Sequence, residues 1–185
     1  VELLVVTLLI FFFLTLNNDV CSGLTLSENG QTHYSIGVAD KASETEKTAA
    51  RELQTYLKLI TGVEFPIQSA ATVSSAAIWV GPSQSLKQLV PDIDWTALGN
   101  DGIVMKTVGD DLLLAGGQPR GTLYAVYTFL EDVVGVRWWT SEETYIPKKS
   151  TLEVGDLNVV YKPPFMYRDM HIVLLYGTTR FFLLD

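Results

Sequence analysis

The chain has 185 residues, 48% of them hydrophobic, enough for one domain with a sizeable core. With 13 Lys and Arg against 21 Asp and Glu the net charge is −8, so no basic stripe exists to displace counterions, which excludes nucleic acid as a partner. A single cysteine, Cys21, rules out a disulfide framework and a thiolate zinc site, whereas a polar or neutral ligand such as an oligo- or polysaccharide stays compatible with this balance.

Residues 3–16 are almost wholly apolar and give way to Asn17-Asn18-Asp19. The run is shorter than the ~20 residues a membrane-spanning helix needs and has the length of a signal-peptide core. Small residues at Cys21, Ser22 and Gly23 offer a cleavage point, so residues 1–23 are expected to be a leader. Its basic start is missing and the first residue is Val1, which points to a sequence beginning inside that leader. An uncleaved membrane anchor is the alternative. Cys21 has the position of a lipoprotein acceptor, but Asn18-Asp19-Val20 fits that signal poorly. The expected location is therefore secreted, periplasmic or outer-surface.

A polar linker, 27–31, precedes an alternating segment, 33–38, that reads as a first strand. Ser43 and Glu46 have the spacing of a capping box. Beyond them Ala49, Ala50, Leu53, Tyr56, Leu57 and Ile60 repeat at three and four residues, and Gly62 supplies a stop. This predicts a surface helix with one buried stripe. Phe65-Pro66-Ile67 reads as an edge strand, since Pro lacks a ladder donor. The unbroken apolar run 76–81 predicts a strand buried on both faces.

A short helix over 83–89 and a connecting loop over 91–98 follow. Segments 102–108 and 112–115 flank Gly109-Asp110-Asp111 as a hairpin. The loop Gly116-Gly117-Gln118-Pro119-Arg120-Gly121 leads into a second helix, with Pro119 near its first turn. Its expected apolar stripe is Leu123, Val126, Tyr127, Leu130, Val133 and Val134, and Gly135 closes it. Short extended pieces follow at 136–139, 145–147, 152–154 and 158–161. The pattern implies an α/β, α+β-like two-layer sandwich: a mixed sheet with two main helices on one face.

Three places invite chemistry. The glycine-rich 116–121 loop opens a helix, where backbone N–H groups attract anions. Its spacing is not G-x-G-x-x-G and no P-loop Lys-Ser/Thr follows, so the plainer reading is a tight turn. Arg137-Trp138-Trp139, with Tyr145 close behind, is the densest aromatic cluster, and indole faces stack on sugar rings. Neighbours on a strand point to opposite sides, so at most one of Trp138 and Trp139 serves a given surface. The acid pairs Asp110-Asp111 and Glu142-Glu143 are adjacent, whereas glycoside hydrolysis holds two carboxyls ~5 to 9.5 Å apart across the bond. They read as exposed loop acids. His33 and His171 are too few for a metal site. No cofactor, no metal and no catalytic residue is expected.

The runs Arg120-Gly121-Thr122-Leu123-Tyr124-Ala125-Val126-Tyr127-Thr128-Phe129-Leu130-Glu131 and Gly135-Val136-Arg137-Trp138-Trp139 resemble the N-terminal domain of family 67 α-glucuronidases. So do the helix from Glu46 to Leu57, its end at Ile60-Thr61-Gly62, and Ile78-Trp79-Val80-Gly81. A similar domain precedes the barrel in β-hexosaminidases and in many bacterial proteins. The likeness spans 30–160 and implies a two-layer accessory domain packed on a catalytic (β/α)₈ barrel. Segment 161–185 then resembles the passage into the first barrel strand, broken by a truncated or frame-shifted tail at 172–185. At that place related enzymes carry an Arg that contacts the substrate sugar, and Arg168 matches it. The expectation is a non-catalytic front domain of a secreted glycoside hydrolase, inactive alone. The alternative is a free-standing carbohydrate-binding module using Trp138 or Trp139.

Overall fold

The structure, a computed structural model, describes residues 23–73, 76–165, 175–176 and 179–180. The apolar leader, Cys21, Arg168 and His171 lie outside the described residues. Among those described, no helix is long and apolar enough to cross a membrane.

A six-stranded mixed sheet organises the domain, in the order β10-β5-β6-β4-β2-β3. Its strands are β2 (Ser35–Val38), β3 (Ile67–Ser69), β4 (Ala77–Val80), β5 (Ile103–Val108), β6 (Asp111–Gly116) and β10 (Asn158–Tyr161). Strands β6, β4, β2 and β3 run parallel, while β5 is antiparallel to both β6 and β10. The hairpin β5–β6 turns through Gly109 and Asp110, and Gly109 takes the positive φ of 58° that glycine tolerates. Strand β4 sits inside the sheet and is buried along its length, as its unbroken apolar run predicts. Strand β3 is an edge, and Pro66 just before it accepts from the Ile36 N–H at 2.8 Å.

Helix α1 (Glu44–Thr61) begins with the predicted capping box. Ser43 Oγ accepts from Glu46 N, and Glu46 Oε2 accepts from Ser43 N at 2.7 Å. Gly62, with φ 78°, ends the helix in the left-handed conformation. Its buried side is Ala49, Ala50, Leu53, Leu57 and Ile60. Helix α3 (Gly121–Thr128) runs on into a π-helical turn, Phe129–Val134, before the left-handed Gly135. Together α1 and α3 cover Ile36, Val38, Ile78, Val80, Leu112 and Leu114 on one face of the sheet. The two-layer sandwich is as expected.

The buried stripe is rotated from the expected one and keeps the regular three- and four-residue spacing through Thr122, Ala125, Val126, Phe129 and Leu130. Ala125 and Phe129 are buried along with Val126, Leu130 and Val134, while Leu123, Tyr127 and Val133 are half-buried.

The other face of the sheet is covered too. Trp79, Val104, Leu113 and Ala115 pack under α2 (Gln84–Leu89) and under Val90, Ile93 and Leu98. Segment 91–98, expected as mere connection, supplies two of these core side chains. Of the expected linker, 28–31 form an exposed turn, while Ser27 ends a strand. Strand β1 (Leu24–Ser27) pairs antiparallel with β9 (Leu152–Val154), which buries Leu24 and Leu26 in the main core. A short hairpin, β7 (Arg137–Trp138) with β8 (Thr144–Tyr145), stands outside the main sheet. Residues 175–176 and 179–180 form a further antiparallel pair.

Candidate functional site

The glycine loop before α3 is occupied by the chain itself. A Cβ on Gly117 would lie 1.7 Å from the Gly99 carbonyl oxygen, and one on Gly121 would lie 2.2 Å from that of Gly102. These glycines permit backbone to lie on backbone. The donors that an anion would need are already used. Gly117 N–H donates to Gly102 O at 2.9 Å, while Arg120 N–H and Gly121 N–H both donate to Asn100 O. The Arg120 guanidinium grips Asp101 through two nitrogens. The plainer reading of a tight structural turn is the one this geometry supports.

Buried Glu46, only 6% exposed, fastens that loop to α1. One carboxylate oxygen closes the capping box, and the other accepts from Gln118 Nε2 at 2.6 Å. The acid pairs also do local work. Asp111 Oδ1 accepts from Ala77 N–H at 2.9 Å at the start of β4, while Asp110 stays exposed. Asp111 is thus a half-buried strand anchor, where the sequence reads as two exposed acids. Glu142 and Glu143 are exposed, and their N–H groups donate to Thr140 Oγ1. Among the described residues no three His, Cys, Asp or Glu converge as a metal site would require.

The two tryptophans have opposite fates, as strand alternation demands. Trp138 turns inward and is half-buried. Its indole N–H donates to the Tyr56 hydroxyl at 2.7 Å. Its ring meets Tyr56 and Tyr127 edge-on, with centroids 5.5 and 5.4 Å apart. Tyr127 in turn donates to Glu52 Oε2 at 3.1 Å. Burial first, then the Glu52 charge, pushes the Tyr127 phenol up to about 12. Trp139 points outward and is 64% exposed.

A cleft of about 450 Å³ opens beside α3, lined by Asp101, Ile103, Tyr124, Tyr127, Glu131 and Tyr161. Pro163 closes one side, where the chain leaves β10. The three tyrosines are brought together by the β10–β5 pairing and by the one-turn spacing of Tyr124 and Tyr127. That spacing was the available signal for the helix pair. Nothing local places Tyr161 beside them.

With this geometry in view, likeness to known proteins decides the family. The family described as Glycosyl hydrolase family 67 N-terminus matches residues 23–129, more than half of the chain. The chain belongs to that family. Alpha-glucuronidase A of Aspergillus tubingensis is 30% identical over 102 residues, which is 55% of this chain and 12% of that protein. A probable alpha-glucuronidase A of Aspergillus niger matches to the same extent. The chain therefore spans about an eighth of the curated relatives it matches. Among solved structures, a family GH115 4-O-methyl-α-glucuronidase with specificity for decorated arabinogalactans superposes with a TM-score of 0.52. That match is 21% identical and covers 78% of this chain and 19% of that one, a likeness of fold. The resemblance read from the two helical runs and from Ile78-Trp79-Val80-Gly81 is thus met by the family match. This is a glycosidase-associated domain.

Proposed function

We propose that this family 67 N-terminal domain is the non-catalytic front part of a secreted, α-glucuronidase-like glycoside hydrolase acting on polysaccharide. Bond cleavage in that enzyme belongs to a (β/α)₈ barrel that follows in the same polypeptide. The observation that carries the reading is the match of residues 23–129 to an N-terminal family whose curated members continue far beyond it.

The cleft beside α3 supports the partner. Tyr124 and Tyr161 are exposed there, beside Asp101 and Glu131, near the point where the described chain passes β10. A following domain that packs on those rings gains by burying them. The acids Asp111 and Glu46 are committed to holding strands and loops, which supports a scaffold role. Arg168, just beyond the cleft in sequence, is the proposed contact to the substrate sugar once the barrel is in place. Secretion through the leader at 1–23 belongs to the same proposal.

Reading the gene past Asp185 tests the parentage. An open frame with repeating strand–helix units is the expected result, and a frame that encodes a different architecture overturns it. Mass spectrometry of the secreted product, with a new N-terminus near Gly23, tests the leader. A product that stays in the cytoplasm with residues 1–23 attached overturns secretion.

A further inference from the structure

The β7–β8 hairpin carries an outward surface that the accessory role leaves unused. Arg137 pairs with Tyr145 across the ladder. The Trp139 N–H donates to Glu143 O at 3.0 Å and so carries the register one residue further, setting Trp139 opposite Glu143. Alternation then puts Arg137, Trp139, Glu143 and Tyr145 on one side of the hairpin. Trp139 is 64% and Tyr145 56% exposed. The result is a checkerboard of two aromatic faces and two charged groups, with a diagonal aromatic separation of roughly 7–8 Å between strands.

Several features hold this surface in place. On the reverse side Trp138 is pinned by Tyr56 and Tyr127. Arg137 Nη1 is tied to the carbonyls of Glu131 and Val136. Thr140 Oγ1 accepts two N–H groups and closes the turn. The backbone that carries the two aromatics is thus set before a ligand arrives, which lowers the ordering cost of binding.

We propose that this face is a surface-binding site for a neutral pyranoside chain. Trp139 and Tyr145 stack on the C–H faces of sugar rings, and Glu143 accepts from ring hydroxyls. Arg137 keeps guanidinium donors beyond Nη1 to reach hydroxyl oxygens. The charge of the rim selects the polymer. Glu131, whose carbonyl Arg137 reaches, and Glu142 and Glu143 of the hairpin turn are all exposed, which repels a polyanion and provides acceptors for a polyol. The site adjoins the cleft beside α3, with Glu131 at the edge of both, and its aromatic pair takes no part in the accessory role.

Affinity electrophoresis of the 185-residue chain tests it in gels holding hydroxyethylcellulose, galactomannan or polygalacturonate. Retardation in at least one neutral gel and none in polygalacturonate is the expected result. Trp139→Ala and Tyr145→Ala each weaken binding by about tenfold, Trp139→Tyr keeps most of it, and all three unfold at the parent's urea midpoint. Free migration in every gel overturns the site, as does retardation that Trp139→Ala and Tyr145→Ala leave unchanged. Concentration-dependent self-association lost in Trp139→Ala, without retardation, also overturns it and identifies the face as a protein contact. None of these outcomes touches the proposal of a catalytic barrel beyond residue 185, because that is read from the gene.

Discussion

The indole N–H of Trp138 donates to the Tyr56 hydroxyl at 2.7 Å, joining the β7–β8 hairpin to the middle of α1 across 82 residues. The bond fixes which face of the hairpin looks inward. Tyr56→Phe leaves the half-buried N–H without its acceptor and is expected to lower stability by about 1 kcal/mol. Trp138→Ala also removes the two edge-on ring contacts and costs about 3 kcal/mol. Urea unfolding of both variants and the double mutant checks this. The double mutant should fall short of the sum, and strict additivity would show that the pair does not act together.

The contact between the glycine loop and segment 99–102 is a second test. Gly117→Ala drives a methyl group into the Gly99 carbonyl and is expected to destabilise the domain by about 3 kcal/mol. Gly155 has nothing within 4 Å of its missing Cβ, so Gly155→Ala is expected to change stability by less than about 0.5 kcal/mol. Equal urea midpoints for the two variants would refute the close-approach account.

Glu46 is expected to matter more than an ordinary cap. Glu46→Ala loses the reciprocal bond to Ser43 N and strands Gln118, for a combined loss of about 2–3 kcal/mol. Gln118→Ala alone removes one of these and should cost about 1 kcal/mol. Hydrogen exchange at the loop amides from 116 to 121 should rise in both variants. Protection unchanged in Glu46→Ala would mean that the loop is held by its backbone contacts alone.

Tyr127 makes a prediction about alkaline pH. Its folded value of about 12 lies above the ordinary 10.0, so the fold favours the neutral phenol. The contribution to stability is complete below pH 10 and is lost as pH rises from there towards 12. Ultraviolet titration should show a late-ionising component that loses one tyrosine in Tyr127→Phe, while Tyr34, which burial also raises, stays late. Glu52→Gln should lower its value while leaving it raised, because burial is the larger cause. A Tyr127 that ionises with the exposed tyrosines contradicts the packing around Trp138.

Much of the fold is legible where the determinants are local. Ser43, Glu46 and Gly62 define both ends of α1 within one segment, and Gly109-Asp110 marks the hairpin turn. The apolar run at Ala77–Val80 declares an interior strand. Strand β1 is hidden because its partner β9 lies over 120 residues away, so neither segment advertises the pairing by itself. The burial of Ala125 and Phe129 is hidden because α3 carries apolar residues on most of its sides, so its sequence does not single out one stripe.

The site divides in the same way. The opposite orientations of Trp138 and Trp139 follow from strand alternation and are legible in adjacency alone. The partners of Trp138, and the meeting of Tyr161 with Tyr124 and Tyr127, depend on tertiary pairing that spacing cannot convey. The close approach at Gly117 is a further case, since a glycine required by a distant carbonyl looks in sequence like any turn glycine.

The most direct test of the accessory role is a hydrolysis assay on the purified 185-residue chain, with aryl-glycosides and aldouronic acids as substrates. No release above buffer is the predicted result, with the chain shown to be folded by its cooperative urea transition. Sugar release that scales with the amount of this chain, and survives repurification, would contradict the account.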